Sequence, residues 1–460
     1  MAPSVIFCRL PQSHLLCDLC DLCALCGKIF LSSPMPTPQT PLNFTIHNKL
    51  GNARTGTVQT LHGDFDTPAF MPVGTRATIK GVLPNLVKET GSQILLNNTY
   101  HLMLRPGSGL IKEMGGVHKF MNWNAPILTD SGGYQAYSMA GINNIDEDGV
   151  TFKSILDGSM IRLNPEIAMQ VQNDLGPDIM MAFDDCPPSI DPDAGPVNQT
   201  RLRHAARRDA TKKAGYNHAE RLQIANERTV RWLERCKASH TRPSEQSLFG
   251  IVQGGTDLDQ RDWSVERICN IDLPGYAIGG VAVGESPEDI AKIVRHTAPQ
   301  MPESKPRYLM GVGYERDIVA AVMAGVDMFD CVLPTRNGRN ANAFTTEPGR
   351  NGQIRLRNAP FARDPLPIEP GCDCHACHPA KYGWDTPDGQ PFTRSYIRHL
   401  FMAGEMLGPI LVTLHNLRFF QRLTTDLRAA INANDWSLFI AQRPHLKELI
   451  EANLPESNPK

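Results

Sequence analysis

Three aspartates and one glutamine stand at or directly after short apolar runs, and together they could carry out glycosyl chemistry. They are Asp130 after APILT, Asp184 in DIMMAFDD, Gln253 in SLFGIVQGG and Asp330 in VDMFDCV. Two carboxylates beside a glycosidic bond permit displacement with retention, because one can attack the anomeric carbon while the other moves protons. A third carboxylate and an amide can read the hydrogen-bonding edge of a purine. One such aspartate alone is more often a helix cap, but three with a glutamine predict a glycosyl-transfer site of unspecified substrate.

A cysteine cluster late in the chain is the second group of residues with chemical potential. Cys372, Cys374 and Cys377 stand close together in CDCHAC. Three thiolates and one imidazole form a closed tetrahedral set, which is typical of a structural zinc site. Spacing alone does not choose the fourth ligand among the candidate histidines His375, His378, His399 and His415.

Eight short apolar runs must position these residues. They occupy 68–74, 92–98, 125–133, 178–185, 247–255, 275–285, 307–313 and 326–332. Helix-length stretches separate most of them, at 80–90, 164–175, 258–269, 286–298 and 315–324, and several begin with proline or an acidic residue. Apolar strands alternating with helices indicate a parallel sheet that is buried on both faces. Eight repeats predict an α/β fold of the (β/α)8 TIM barrel type rather than an open doubly wound sheet, with the polar groups at the catalytic ends of the strands.

The remaining segments predict the domain organisation. Residues 1–40 combine CDLCDLCALC with a Pro-rich stretch and are expected to be a disordered or non-native extension, with Met35 as a possible start. Residues 41–344 are expected to form the barrel, with a β-hairpin cap at 42–66 and a longer, charged and mostly helical insert at 189–246. Residues 345–425 should form an inserted zinc-binding subdomain near the C-terminus. Residues 426–460 should form a helical segment that packs on the barrel.

The composition excludes several classes of protein. Of the 460 residues, 41% are hydrophobic and 20% are charged, which is typical of a soluble globular chain, and no apolar run is long enough to span a membrane. Of the twelve cysteines, five lie in the first 26 residues, three in CDCHAC and four singly, which is not the dense framework of a secreted disulfide protein and indicates a reducing compartment, hence the cytoplasm. No strand is followed by a nucleotide-binding glycine motif, so no nucleotide cofactor is expected. The formal net charge is −2, so a nucleic-acid partner would need a local basic patch, and six arginines between Arg336 and Arg363 provide one.

The chain resembles the bacterial-type tRNA-guanine transglycosylases, also called queuine tRNA-ribosyltransferases. The motifs that carry the resemblance are TPAFMPVGT, NNTYHL, TDSGGYQ, AFDDC, GIVQGG, GGVAVGE, YLMGVG, FDCVLPTRNGRN, CDCHAC and HNLRFFQ. They follow the family order from about residue 44 to 420. The departures are Val281 in place of the usual leucine, a longer connection at 189–246 and extra residues between Cys377 and His415.

The resemblance implies a role for each residue at the strand ends. Asp330 matches the nucleophile that attacks C1′ of the ribose, and Asp130 matches the general acid/base. The residues that match the base-binding pocket are Asp184, Gln253, Gly280, Ser131 and Cys186, with Tyr134 and Met310 on the two faces of the base. The implied reaction exchanges guanine at the wobble position of tRNAs with a GUN anticodon for a 7-deazaguanine, through a covalent ribosyl-aspartate, in queuosine biosynthesis.

The resemblance also implies partners and a metal. Arg336 and Arg339 match the contacts to the tRNA anticodon loop, and His415 in TLHN matches the fourth ligand of one structural zinc per subunit. Cys186, with Ala282 and Val283, resembles the form that takes preQ1 (7-aminomethyl-7-deazaguanine) rather than queuine. A homodimer without membrane association is expected.

Four hypotheses therefore follow from the sequence. The transferase is favoured. A retaining nucleoside or glycoside hydrolase on the same barrel would use water as the acceptor. A non-catalytic tRNA-binding subunit is disfavoured because Asp130 and Asp330 are both present. Catalysis by the zinc ion is disfavoured because four protein ligands leave no open position for water.

Overall fold

The computed structural model describes residues 41–135, 143–191 and 217–454. The extension expected at 1–40 lies outside these residues, as does the part of the expected insert from 192 to 216. Among the described residues, every helix is too short or too polar to span a bilayer.

Sixteen strands occur in the described residues. In chain order they are β1 (Asn43–Leu50), β2 (Ala53–Thr60), β3 (Gly63–Thr67), β4 (Ala69–Gly74), β5 (Leu95–Asn97), β6 (Ile127–Thr129), β7 (Asn143–Asp146), β8 (Gly149–Lys153), β9 (Met160–Leu163), β10 (Ile179–Met181), β11 (Ser247–Val252), β12 (Gly275–Ile278), β13 (Arg307–Leu309), β14 (Met328–Cys331), β15 (Asn342–Phe344) and β16 (Gln353–Arg355).

The α-helices of the described residues follow the same order. They are α1 (Pro84–Glu89), α2 (Thr99–Leu104), α3 (Ser108–Glu113), α4 (Val117–Met121), α5 (Pro165–Leu175), α6 (His218–Ser239), α7 (Leu258–Cys269), α8 (Pro287–Thr297), α9 (Glu315–Met323), α10 (Leu333–Arg339), α11 (Arg394–Ala403), α12 (Leu407–Asn432), α13 (Trp436–Gln442) and α14 (Lys447–Asn453). Short 3-10 turns lie at Ala298–Gln300, Ala359–Arg363, Pro379–Tyr382, Pro387–Gly389 and Pro444–Leu446.

Eight parallel strands close into a barrel in the order β4-β5-β6-β10-β11-β12-β13-β14, with β14 pairing back onto β4. Every predicted apolar run contains one of these strands, so the (β/α)8 prediction is confirmed and the open sheet is excluded. Alternate strand residues point inward and fill the barrel with a buried cluster that includes Met71, Met181, Ile251 and Met328. The other face of each strand packs under the surrounding helices.

Local sequence explains where the barrel helices begin. Ser286 and Asp289 form a reciprocal capping box before α8. The Asn164 side chain accepts from the amide of Ile167 at the start of α5. The expected proline and acidic residue are present in both first turns.

The N-terminal cap has three antiparallel strands, β1 to β3, rather than the predicted hairpin of two. The additional strand is β3 (Gly63–Thr67), which pairs antiparallel with β2. The cap covers the N-terminal end of the barrel. There the guanidinium of Arg54 makes a two-pronged ion pair, of 2.8 and 2.6 Å, with Asp327, the residue before β14.

A histidine–aspartate cluster is the second fastening of the cap. Asp178, directly before β10, accepts from His62 Nδ1 at 2.8 Å and from His118 Nε2 at 3.0 Å. These donor atoms lie close enough to suggest a metal site. However, the two imidazole rings are stacked with centroids 3.6 Å apart and planes 12° apart. Because the lone pairs of ring nitrogens lie in the ring planes, the lone pairs of two parallel rings do not point to one ion. We therefore interpret the cluster as a hydrogen-bonded contact between the cap and the barrel.

Two regions outside the barrel strands complete the fold. A small antiparallel sheet, β7-β8-β9, stands between the third and fourth barrel strands, where no strand was predicted. After β14, residues 341–377 and 397–412 share their own buried core. The boundary predicted at 425 falls inside α12, because this one helix carries His415 and also packs on the barrel through Phe419 and Phe420.

Candidate active site and metal centre

A cavity of about 620 Å³ opens at the carboxyl ends of the barrel strands. The residues predicted for catalysis and base binding all line it, as does one of the two predicted RNA-binding arginines: Asp130, Ser131, Tyr134, Asp184, Cys186, Gln253, Gly280, Met310, Asp330 and Arg336. Arg339 lies one turn further along α10 and does not line the cavity. The fold thus brings residues that are 200 positions apart in the chain into one site.

The order of strands around the barrel sets which residues face one another. Asp184 follows β10 and Asp330 lies in β14, and these strands are four apart in the closed ring of eight, on opposite sides of the mouth. Tyr134 follows β6 and Met310 follows β13, which are also opposite. A flat ligand between Tyr134 and Met310 would therefore present one edge to Asp184 and the other to Asp330.

Asp330 uses one carboxylate oxygen for support and keeps the other open. Its Oδ1 accepts from the Tyr308 hydroxyl at 2.6 Å and from the amide of Gly311 at 2.8 Å. Among the contacts of the described residues, Oδ2 accepts no hydrogen bond. Burial raises the pKa of Asp330, while the bonds from Tyr308 and Gly311 oppose that rise. A desolvated carboxylate with one free oxygen is suited to nucleophilic attack.

Asp130 accepts hydrogen bonds on both of its carboxylate oxygens. Oδ1 accepts from the amide of Thr99 at 2.8 Å, and Oδ2 accepts from Gln135 Nε2 at 2.8 Å and from the Asn98 amide group. Burial raises its pKa to about 6, which the bonds from Asn98 and Thr99 limit and the nearby charge of Asp330 reinforces. A carboxyl group that titrates near neutral pH can both give and take a proton.

Asp184 is the third buried carboxylate of the cavity. Burial raises its pKa to about 7, although the hydrogen bond from Gln253 Nε2, at 2.6 Å, opposes the rise. Ser131 Oγ lies 3.5 Å from the other oxygen, a weak contact. The Cys186 thiol lines the same wall, and burial raises its pKa so that it remains protonated. This wall therefore offers a carboxylate, an amide and a neutral thiol to a polar edge.

Asp185, next to Asp184, has a different role. It is buried and pairs with Arg221 at 2.6 Å and Arg228 at 2.5 Å, both on α6. Its amide also donates to Thr229. The ion pairs fasten α6 to the end of β10, which leaves Asp184 as the carboxylate of this pair that faces the cavity.

The cysteine cluster closes around His415. The sulfurs of Cys372, Cys374 and Cys377 lie 3.6, 3.4 and 3.6 Å from His415 Nδ1, and all four residues are buried. Tetrahedral zinc with ordinary Zn–S and Zn–N bond lengths requires sulfur–nitrogen edges of about 3.6 Å, so the donor set fits. His415 Nε2 donates to the carbonyl of Phe344 at 2.7 Å, which leaves Nδ1 as the acceptor facing the sulfurs. The rival His375 instead contacts Glu89 and stacks on Tyr382.

The helix that carries His415 also holds the arginine helix α10. Gly338, between Arg336 and Arg339, approaches α12 so closely that an added Cβ would lie 2.6 Å from Thr413 Oγ1. Asn416 donates to the carbonyl of Pro334 at 2.9 Å. The TLHN motif therefore links the metal centre to the helix on which the two arginines stand.

The sequence analysis did not predict a role for some residues of the site. Tyr308 lies within a barrel strand, where it reads as one more core residue. Gln135 lies in a helical stretch after β6 and follows no apolar run directly. Glu285 accepts from the amide of Val283 at 3.1 Å and also from that of Ala282, so it holds the loop after Gly280. Asn98 and Glu285 stand at the ends of the second and sixth apolar runs, which was their positional signal.

Comparisons with known proteins identify the family of the chain. The profile of the family described as "Queuine tRNA-ribosyltransferase" matches residues 49–214 and 209–447. A protein of that name from Acetivibrio thermocellus is 49% identical over 383 residues, which cover 83% of this chain and 91% of the relative. One from Idiomarina loihiensis is 44% identical over 407 residues, covering 88% and 98%. One from Staphylococcus aureus is 46% identical over 383 residues, covering 83% and 90%. The chain therefore belongs to the queuine tRNA-ribosyltransferase family and is a tRNA-guanine transglycosylase.

Proposed function

We propose that this enzyme exchanges guanine at the wobble position of GUN-anticodon tRNAs for preQ1, with Asp330 as nucleophile and Asp130 as general acid/base. The observation that carries the proposal is the placement of the open Oδ2 of Asp330 across the mouth from the polar wall of Asp184. A purine held by that wall points its glycosidic bond toward Asp330.

The first half of the reaction breaks the bond to guanine. Oδ2 of Asp330 attacks C1′ of the ribose, and the electron pair of the carbon–nitrogen bond leaves with the base. Asp130 supplies the proton that guanine takes up, and its pKa of about 6 keeps a protonated fraction available near neutral pH. The ribose is now esterified to Asp330.

The second half reverses these steps with a different base. The incoming base loses its ring N–H proton to Asp130, its nitrogen attacks C1′, and the electron pair of the ester bond returns to Asp330. Each attack inverts C1′, so the product keeps the original configuration. Tyr308 and Gly311 stabilise Oδ1 of Asp330 when its charge returns.

Base recognition follows from the donor and acceptor pattern of guanine. Its N1–H and N2–H groups are donors that suit the carboxylate of Asp184, and its O6 is an acceptor that suits the second N–H of Gln253 and the amide of Gly280. Asp184 must be ionised to accept both bonds. Tyr134 and Met310 would cover the two faces of the base.

We propose preQ1 rather than queuine as the acceptor. The curated relatives are named for queuine, but the loop after Gly280 carries Ala282 and Val283, where queuine enzymes have a smaller, glycine-bearing loop. Ala282 and Val283 both line the cavity. Their side chains leave room for an aminomethyl group more readily than for a bulky substituent.

The cysteine–histidine centre is proposed to hold one structural zinc ion. Cys372, Cys374, Cys377 and His415 would hold it, and it would supply rigidity rather than a reacting water, since the four ligands close the site. We expect Cys374→Ser to lower zinc content and melting temperature together, and Cys236→Ser, a buried cysteine outside the cluster, to leave the zinc content unchanged. Unchanged zinc content in Cys374→Ser would exclude this ligand set.

The partner is proposed to be the anticodon loop of tRNA. Arg336 is exposed at the cavity rim and Arg339 is half-buried behind it, so both can meet phosphates beside the extruded base. The cost of extruding the base is a few kcal/mol, which such contacts offset. We also propose that the enzyme acts in the cytoplasm as a homodimer, which sedimentation of the purified chain would test.

The test uses tRNA that carries labelled guanine at the wobble position. Label loss that requires preQ1 or guanine supports base exchange, and parallel reactions with preQ1 and queuine identify the acceptor. Label loss without any added base would favour the hydrolase. No loss under either condition would withdraw the roles of Asp130 and Asp330 and favour a binding subunit.

A further inference from the structure

Arg261 is a fully buried arginine that holds the two loops of the base-binding wall. It stands in the first turn of α7, and its side chain is 0% exposed. Its guanidinium donates to four backbone carbonyls: Gly255 at 2.9 Å, Val252 at 3.2 Å, Gly279 at 2.7 Å and Gly280 at 3.0 Å. Two of these carbonyls flank Gln253 after β11, and two belong to the glycine pair after β12.

The chemistry of arginine suits this position. Its planar fork carries five N–H donors in fixed directions, so one side chain can satisfy carbonyls from two neighbouring strands. Burial lowers the pKa of Arg261 to about 10, with the charge of Glu285 opposing that fall. The guanidinium therefore remains protonated near neutral pH and keeps its donors.

The backbone comes close to Arg261 because glycine occupies the contact points. Gly254 has a φ of +134° and Gly280 a φ of +61°, which are conformations that favour glycine. A Cβ added to Gly254 would lie 2.8 Å from the amide nitrogen of Arg261. A Cβ added to Gly280 would lie 3.3 Å from Arg261 Nη2 and would overlap the Gln253 amide oxygen. The two loops and the guanidinium thus fit together as one unit.

We propose that Arg261 is a positioning residue for base recognition, which sets the orientation of Gln253 and of the Gly280 amide toward the cavity. It does not touch the base. Without its donors, the carbonyls of Gly255, Gly279 and Gly280 lose these hydrogen bonds, while that of Val252 keeps its bond from the Gly279 amide. The loops that carry the two groups reading O6 are then free to rearrange. This inference rests on the base-binding role proposed above for Gln253 and Gly280.

The test measures incorporation of labelled free guanine into saturating tRNA by wild type, Arg261→Met and Arg261→Lys. We expect Arg261→Met to raise the KM for guanine about 10-fold, roughly the loss of one hydrogen bond, with a smaller change in kcat. Arg261→Lys, which keeps the charge and some donors, should fall between wild type and Arg261→Met. The Kd for tRNA should stay within about 2-fold in both variants, because Arg336 is unaffected.

Arg307→Met is the matched control. Arg307 is also buried, has its pKa lowered to about 10 by burial, and donates to the carbonyls of Met301 at 2.6 Å and Gly325 at 3.3 Å. It lies at the N-terminal end of β13, away from the cavity. We expect Arg307→Met to lower the melting temperature about as much as Arg261→Met does, with the KM for guanine unchanged.

The outcomes separate this inference from the proposed function. Wild type that incorporates no guanine would overturn the proposed function itself. Active wild type with an unchanged KM in Arg261→Met, or an equal rise in Arg307→Met, would overturn only the positioning role. If Arg261→Met does not fold, Arg261→Lys decides, together with hydrogen exchange. Faster exchange at 253–256 and 279–283, but not at 307–331, supports the proposal, and unchanged exchange contradicts it.

Discussion

The buried aspartates that line the cavity differ in their partners from those at the N-terminal end of the barrel. At the carboxyl end, Asp130, Asp184 and Asp330 accept only from neutral amides, hydroxyls and backbone N–H groups. In the part of the chain that the structure describes, no lysine or arginine pairs with any of the three. At the N-terminal end, Asp327 pairs with Arg54 and Asp178 accepts from two histidines.

Cationic partners lower the pKa of a buried carboxylate only where they outweigh burial. Burial would raise the pKa of Asp178, but the hydrogen bonds from His118 and His62 outweigh it and hold that pKa far below the usual range. Burial still raises the pKa of Asp327 despite the charge of Arg54. Burial of Asp130 and Asp184 is opposed only by neutral donors, and their pKa values rise to about 6 and about 7. The adjacent Asp184 and Asp185 differ in their partners, since the carboxylate of Asp185 pairs with Arg221 and Arg228.

Asp330→Ala should have the largest effect on the catalytic end. Removal of the proposed nucleophile should lower kcat/KM for base exchange about 10⁴-fold or more, while tRNA binding is retained. Gel-shift titration and a denaturing gel for the covalent tRNA adduct measure the two properties. An adduct that persists in Asp330→Ala would assign the attack to another residue.

Asp327→Asn should have the largest effect on the cap end. It leaves the charge of Arg54 buried without its partner, and the free energy of unfolding should fall by about 3–5 kcal/mol. Urea denaturation measures the loss. Activity per folded molecule should match wild type, because the pair lies at the opposite end from the cavity. A specific loss of activity would contradict the separation of the two ends.

Asp184→Asn should affect activity and stability in opposite directions. Loss of a charged acceptor for two N–H groups of the base should lower kcat/KM about 10²-fold. A carboxyl group whose pKa is raised on folding destabilises the protein at a pH above the raised value. It has no such effect at a pH below its unfolded pKa of about 4. The variant should therefore be about 1–3 kcal/mol more stable than wild type at pH 8, with the gain shrinking as the pH falls toward about 4. Equal destabilisation at both pH values would show that Asp184 is a structural residue.

The pH dependence of exchange gives the smallest and most specific effect. Asp184 must be ionised to accept from the base, so kcat/KM for guanine should fall as the pH drops through about 7. In Asp184→Asn, the acid limb of the pH profile of kcat/KM should move toward the pKa of Asp130, which is about 6. If the acid limb does not move, ionisation of Asp184 does not determine the pH dependence of kcat/KM.

Local patterns predicted the barrel and most of its mouth. Parallel strands buried on both faces read as apolar runs, and each of the eight runs contains one. The sheet β7-β8-β9 was missed because strands such as NNID and MIRL mix polar and apolar residues without clear alternation. The third cap strand was missed because its sequence, GDFDT, carries a glycine and two aspartates, which are depleted in strands, although it pairs with β2 through a tight turn.

The supporting residues of the site depend on tertiary contacts that no short pattern reveals. Tyr308 reads as a core residue of an apolar strand, yet its hydroxyl supports Asp330. Arg261 stands in the polar sequence LDQRDWSVERIC, where it reads as a solvent-facing residue of an amphipathic helix. Its burial is set by loops after two different strands. The residues proposed to contact the substrate can therefore be predicted from sequence more readily than the residues that position their side chains and loops.

We expect an aspartate that lines the cavity to become covalently bound to tRNA, and peptide mapping of the adduct identifies which one. Wild-type enzyme would be mixed with tRNA without an acceptor base, denatured, treated with ribonuclease and protease, and analysed by mass spectrometry. The expected result is a ribosylated peptide with the modification on Asp330. Modification of Asp130, or guanine exchange without any adduct, would contradict it.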